Sequence, residues 1–223
     1  MNRSRIALLL LVLLILSGVY YGYQSFQTGT EETTSAPNLV PSPDFAADSA
    51  YAFIAKQVAF GPRVPNSTAQ KACGDWIVAK MKSYGLQVST QPFEANRYDG
   101  KKLQGLNIIA SFNPAATKRI LIAAHWDARS IADKDSVRKN EPIDAANDGA
   151  SGVGVMIELA RVLAQTKDKP AVGVDFVFFD LEDHGEPHDM AAGNPLSWAL
   201  GSQYWAAHLM PENYRPYYGI LLD

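Results

Sequence analysis

The sequence predicts a three-layer α/β/α domain with a mixed, largely parallel central sheet. Three observations carry that prediction. Nearly all-apolar runs at Arg119–Asp127, Ala171–Asp180 and Tyr217–Asp223 have the length and composition of strands covered on both faces. Segments with helical spacing alternate with them, the arrangement that builds layered α/β folds. Each run also ends in an acid, and open α/β sheets bind ligands outside the carboxyl ends of their strands.

The elements follow in order along the chain. Arg3 and Arg5 precede an uncharged run, Ile6–Tyr23, of about the minimum length that spans a bilayer. Tyr20, Tyr21 and Tyr23 at its far end suit an interfacial belt. Residues 1–27 are therefore expected to be a membrane anchor, or else a signal segment, with the rest exported to the periplasm or cell surface. Residues 28–45, rich in Thr, Ser and Pro, read as a linker too polar to pack. Residues 46–223 read as the globular domain. Ser67–Gly85 has a helical pattern, with Ser67 as N-cap, Gly85 as stop, and an apolar face through Ala72, Trp76, Ile77, Met81 and Tyr84. Leu86–Phe93 and Gly105–Phe112 have strand character. Gly149–Gln165 and Ser197–Leu209 read as helices, and Tyr217–Asp223 as a third buried strand.

Composition excludes several functions. The 223 residues are 47% hydrophobic and 19% charged, which fits one globular domain plus a tail. A net charge of −3 and the lack of a basic stripe argue against a nucleic-acid partner. The one cysteine, Cys73, excludes an internal disulfide and a multi-cysteine zinc site, and reads as core filler.

The acids carry the chemistry. Asp127, the group Asp180, Glu182 and Asp183, and Asp223 each close an apolar run. Parallel strands would gather them at one edge, and Asp148, in an Asn-Asp-Gly turn before a helix, would join them. Clustered carboxylates repel one another unless a cation is present. With His125 adding a nitrogen, zinc is the simplest such cation. Asp180 reads as the anchor of the turn between strand and site. Gly149, Gly152 and Gly154 lack the spacing of a dinucleotide-binding fingerprint. Pro187 prevents a regular helix from placing His184 and His188 on one face, so both read as loop residues. Trp126 and Trp198 are candidates to line a pocket entrance, but large aromatics more often pack in the core, so both read as core.

The order H-x-D, then N-D-G, then D-x-E-D resembles the zinc-dependent exopeptidase superfamily. Within it the chain looks most like bacterial glutaminyl-peptide cyclotransferases (glutaminyl cyclases). The resembling stretches are FGPRVPNS, AHWDAR, AANDGASGVGVMIELAR, FVFFDLED, WALGSQYWA and YGILLD, which together reach from about Tyr51 to the end. A long insertion between Asp183 and Leu200 is cyclase-like. The resemblance implies that Asp148 and Asp183 are ligands of one zinc ion, that Glu182 is the catalytic acid/base, and that Asp223 orients the reacting groups. It implies that His125 and Asp127 match a segment whose histidine binds a second metal in aminopeptidases. It further implies substrates with an N-terminal glutamine, cyclised to pyroglutamate with release of ammonia. Family members continue past the position of Asp223 and supply a histidine ligand there, so the domain is expected to be C-terminally incomplete and the third zinc ligand stays open. Two alternatives remain: an aminopeptidase with two metals, in which His125 is a ligand and Asp148 the bridge, and an inactive remnant that binds no metal tightly.

Overall fold

The computed structural model describes residues 16–23, 42–187 and 193–223, and divides into two units, Met1–Ser42 and Pro43–Asp223. In the first, residues 16–23 are helical. Most of the expected anchor and linker lies outside the described residues, and no described helix is long and apolar enough to cross a membrane.

The second unit runs α1 (Ala47–Val58), α2 (Thr68–Ser83), β1 (Gln87–Asn96), β2 (Lys102–Phe112), β3 (Arg119–His125), α3 (Ala150–Gln165), β4 (Gly173–Phe179), a 3-10 turn at Pro195–Ser197, α4 (Leu200–Ala207) and β5 (Tyr218–Leu221). The strands form one mixed sheet in the order β1-β2-β4-β3-β5. β1, β2 and β4 pair antiparallel, whereas β4, β3 and β5 run parallel. The three acid-ended runs are these three parallel strands, so their carboxyl ends share one edge.

Alternation along the strands divides the core into two layers. Ile108, Ala110, Ala124, Phe176 and Phe178 pack against Cys73, Ile77 and Met81 of α2 and Val153, Met156 and Ile157 of α3. Ile109, Ala123, Val177 and Phe179 face the opposite layer, where Trp205 of α4 and Met210 cover them. All seven residues of β4 are buried, because it lies between β2 and β3 with helices on both faces. Each large apolar side chain buried there contributes roughly 1.5–3 kcal/mol.

Local signals explain the ends of α2. The Ser67 hydroxyl accepts the Gln70 N–H at 3.0 Å. Gly85, at φ +81°, lets its own N–H and that of Leu86 reach the Lys82 and Met81 carbonyls. The buried stripe of α2 is Gln70, Cys73, Gly74, Ile77 and Met81, while Ala72 is exposed.

Three expectations need correction. Ala47–Val58, where the sequence suggests no element, is helical, although it buries only Ala50 and Gln57. The helix expected from Ser197 starts at Leu200, because Ala199 adopts φ +54° after the 3-10 turn. β5, expected to be buried, is exposed along its length, with Leu221 65% accessible, and pairs with β3 alone among the described residues.

One buried charge lies far from the acid-rich edge. Asp175, near the start of β4, accepts hydrogen bonds from Ser111 Oγ, from Arg119 Nε and Nη2 (2.6 Å each), and from the Tyr214 hydroxyl (2.8 Å). This network ties the segment ahead of β5 to the sheet.

Candidate metal centre

The site forms where β3, β4 and β5 end. β3 ends at His125, and the chain continues through buried Trp126, a core residue as expected, to Asp127, which has no accessible surface. Asp148 enters from the turn before α3. That turn needs glycine next: Gly149 has φ +87°, and a Cβ there would lie 2.9 Å from His125 Cε1. The β3–β5 pairing then carries Asp223 alongside. His125 Nε2 lies 2.8 Å from Asp148 Oδ1 and 3.6 Å from Asp223 Oδ1. These three residues offer ligand atoms all within 4.8 Å of one another.

Glu182 and Asp183 are placed by two anchors. The Asp180 carboxylate accepts from Gln70 Nε2, Leu106 N and Leu181 N at 2.8–2.9 Å, which pins the turn as its position suggests. Leu181 takes φ +56° there. Asp127 is the second anchor. Its Oδ1 accepts the Glu182 N–H and its Oδ2 the Asp183 N–H, both at 3.1 Å. The H-x-D and D-x-E-D segments are thus one hydrogen-bonded unit.

A cavity of about 460 Å³ opens beside these groups, lined by Asp148, Asp183, Arg129, Ile131, Ile143 and Trp198 among others. Its size is that of a small-molecule or peptide-terminus pocket. Trp198 is therefore pocket wall rather than core. Its ring lies flat on the loop at Gly185, where a Cβ would come within 2.2 Å of the indole. Arg129 lies over the same ring, its guanidinium carbon 4.7 Å from the centroid. The same guanidinium holds Asp133 through two 2.8 Å bonds and donates to the Asp183 carbonyl at 3.0 Å.

The electrostatics are those of crowded acids. Burial, with Asp127, Asp223 and Asp148 nearby, pushes Glu182 up to about 7 against the opposing pull of His125. Burial, then Asp127 and Asp148, also pushes Asp183 up to about 7. The His125 hydrogen bond holds Asp148 below its ordinary value. Burial disfavours charge on His125, but its bonds to Asp127 and Asp148 outweigh that and raise it to about 11. Carboxylates that share a site this way are short of a cation. Oxygen and imidazole donors in this set fit zinc, with either His125, Asp148 and Asp223 or Asp148 and Asp183 to hold it.

The structure therefore brings Asp148, Glu182, Asp183 and Asp223 to one edge, and adds residues that sequence reasoning passed over. His184 is a loop residue as expected, but it is 3% exposed, beneath the acids. His188 lies outside the described residues. Arg129 carries no sequence signal, since a lone arginine after a strand is ordinarily a surface residue.

Comparison with known proteins agrees with this geometry. The chain is similar to a Zn-dependent exopeptidase from Parabacteroides distasonis, with 48% identity, TM-score 0.77, and coverage of 81% of this chain and 62% of that one. It is also similar to the glutaminyl cyclase of Porphyromonas gingivalis, with 47% identity, TM-score 0.76, and coverage of 81% and 61%. A curated relative, the alkaline phosphatase isozyme conversion protein of Escherichia coli, is 28% identical over 57% of this chain and 39% of its own length. The chain thus spans about three fifths of these solved structures and less than two fifths of that relative. The sequence profile described as peptidase family M28 matches residues 107–223. That stretch begins in β2 and carries every acid of the cluster, so the chain, by sequence and by fold, belongs to peptidase family M28.

Proposed function

We propose that the protein is a glutaminyl-peptide cyclotransferase that uses one zinc ion and acts on peptides with an N-terminal glutamine. The observation that carries this reading is Glu182, a half-buried carboxyl beside Asp148 and Asp223 that is raised to about 7 in the metal-free protein. A group with that affinity can both take and return a proton near neutral pH.

Asp148 and Asp183 would hold the zinc, which when bound supplies Lewis-acid polarisation of the side-chain amide oxygen. The α-ammonium loses one proton to solvent, and Glu182 takes a second from the amine as it attacks. The freed amine attacks the side-chain amide carbon, a C–N bond forms in the ring, and the bond to the amide nitrogen breaks. Glu182 returns its proton to that nitrogen, which leaves as ammonia. Asp223 orients Glu182 and the amine, and Trp198 with Ile131 and Ile143 keeps the bound residue out of water. Because attack is intramolecular, holding the chain in the reactive geometry does much of the work.

A second reading rests on the convergence of His125, Asp148 and Asp223. Those donors suit a second metal bridged by Asp148, as in an aminopeptidase. Mass spectrometry of a Gln-terminated peptide incubated with the zinc-loaded protein separates the two. Loss of ammonia alone supports the cyclase, release of the whole first residue supports the aminopeptidase, and an unchanged peptide overturns both activities for this chain. The run Ile6–Tyr23 supports an anchored, extracytoplasmic location, which protease accessibility on intact cells would test.

A further inference from the structure

Asp127 is enclosed from two sides. Its Oδ1 lies 3.3 Å from His125 Nδ1. Its Oδ2 lies 3.3 Å from His184 Nε2. The His184 side chain is 1% exposed, and this nitrogen, although buried, has no aligned hydrogen bond. Burying an imidazole nitrogen without a partner is costly, and a phenyl ring would fill the same space without that cost. What needs explaining is a polar atom aimed at the carboxylate that carries the Glu182 and Asp183 amides.

We propose that His184 is a positioning residue, which holds Asp127 in the orientation that sets both the Glu182–Asp183 turn and the His125 ring. His125, Asp127 and His184 then form one relay beneath the acids. If His184 were absent, Oδ2 would keep only the Asp183 N–H, and the carboxylate could turn toward His125. The contact is longer and less aligned than an ideal hydrogen bond, as is common in active sites without ligand, where such bonds tighten on binding. The following residue, Gly185, packs on Trp198. The relay therefore also ties the loop bearing the pocket wall to the acid cluster. Partners that stand behind metal ligands typically change metal affinity or activity by about 10–100-fold. The proposal rests on the zinc reading above only through its affinity readout.

The test uses the full chain with two variants. His184→Phe keeps a ring and removes the nitrogens, whereas His184→Gln keeps a donor. Amide hydrogen exchange at Glu182 and Asp183 is measured in the metal-free protein, and zinc affinity by competition with a chelator. Expected for His184→Phe are exchange at those two amides faster by about tenfold or more, relative to the amides of β4, and zinc affinity lower by about 10–100-fold. His184→Gln should recover most of both. Exchange and affinity within twofold of wild type in His184→Phe would overturn the proposal, because the nitrogen would then do nothing. Equal loss in both variants would also overturn it, by showing a packing role. If His184→Phe does not fold, His184→Gln decides alone: near-wild-type values support the proposal and a full loss overturns it. Ammonia release from Gln peptides is read separately. A protein that shows these shifts but releases no ammonia keeps this inference and loses the cyclase reading.

Discussion

The two ends of β4 treat carboxylates in opposite ways. Near its start, Asp175 is buried but fully answered by a two-pronged guanidinium, a phenol and a hydroxyl. Past its end, half-buried Glu182 and buried Asp183 stand among other acids and near one guanidinium, Arg129, which is committed mainly to Asp133. The first arrangement is complete within the protein and can only hold structure together. The second sets several acids around one imidazole and a guanidinium already committed to Asp133, and that excess of carboxylates is what makes it able to bind a cation and move protons. A buried acid is therefore informative about function when its partners are counted, not when its burial alone is noted.

The largest effect expected from breaking this contrast is on rate. Glu182→Gln keeps shape and removes the proton carrier, so turnover should fall by about 10²–10⁴-fold. Zinc affinity, measured by chelator competition, should stay within a few fold. Unchanged turnover would remove Glu182 from its role. At the other end of the strand, Asp175→Ala leaves the Arg119 guanidinium, whose side chain is 14% exposed, with backbone carbonyls of Phe112, Asn113 and Ala116 but no counter-charge. Removing one partner of a buried pair costs about 3–5 kcal/mol, readable by urea unfolding. The folded fraction should still bind zinc as wild type does, since the two ends are chemically separate.

The smallest and most diagnostic effect is on pH dependence. In the folded, metal-free protein Glu182 and Asp183 are raised from 4.5 and 3.8 to about 7, so the native state binds more protons than the unfolded chain between those values. Stability should then fall as pH rises from about 4 to 7. His125, raised from 6.5 to about 11, gives a loss of the same sign above neutrality. Saturating zinc should flatten the slope by favouring the ionised acids. Thermal unfolding across pH 4–8 with and without zinc checks this, and equal slopes in both conditions would mean that the acids do not share a metal.

Much of the fold was legible because its signals are local. Ser67 and Gly85 mark α2 through bonds made within a turn. β3 and β4 announce themselves as apolar runs, since a strand covered on both faces must be apolar throughout. α1 was not legible, because no capping side chain marks its start at Ala46 and it buries only Ala50 and Gln57. β5 has the composition of a covered strand, yet composition states what a strand tolerates and not what lies beside it.

The site divides in the same way. That Asp148, Glu182, Asp183 and Asp223 gather at one edge follows from chain order, because parallel strands put their carboxyl ends together. The roles of Asp127, Arg129, Trp198 and His184 rest on contacts between segments distant in sequence, such as the Asp127–Glu182 bond spanning 55 positions. Residue types and spacing dictate which chemistry is available, since carboxylates and imidazoles are what they are wherever they stand. Which carboxylate is answered and which is left wanting a cation depends on neighbours brought by folding, because Coulomb and desolvation energies depend on distance and burial, and neither is written in the order of the residues.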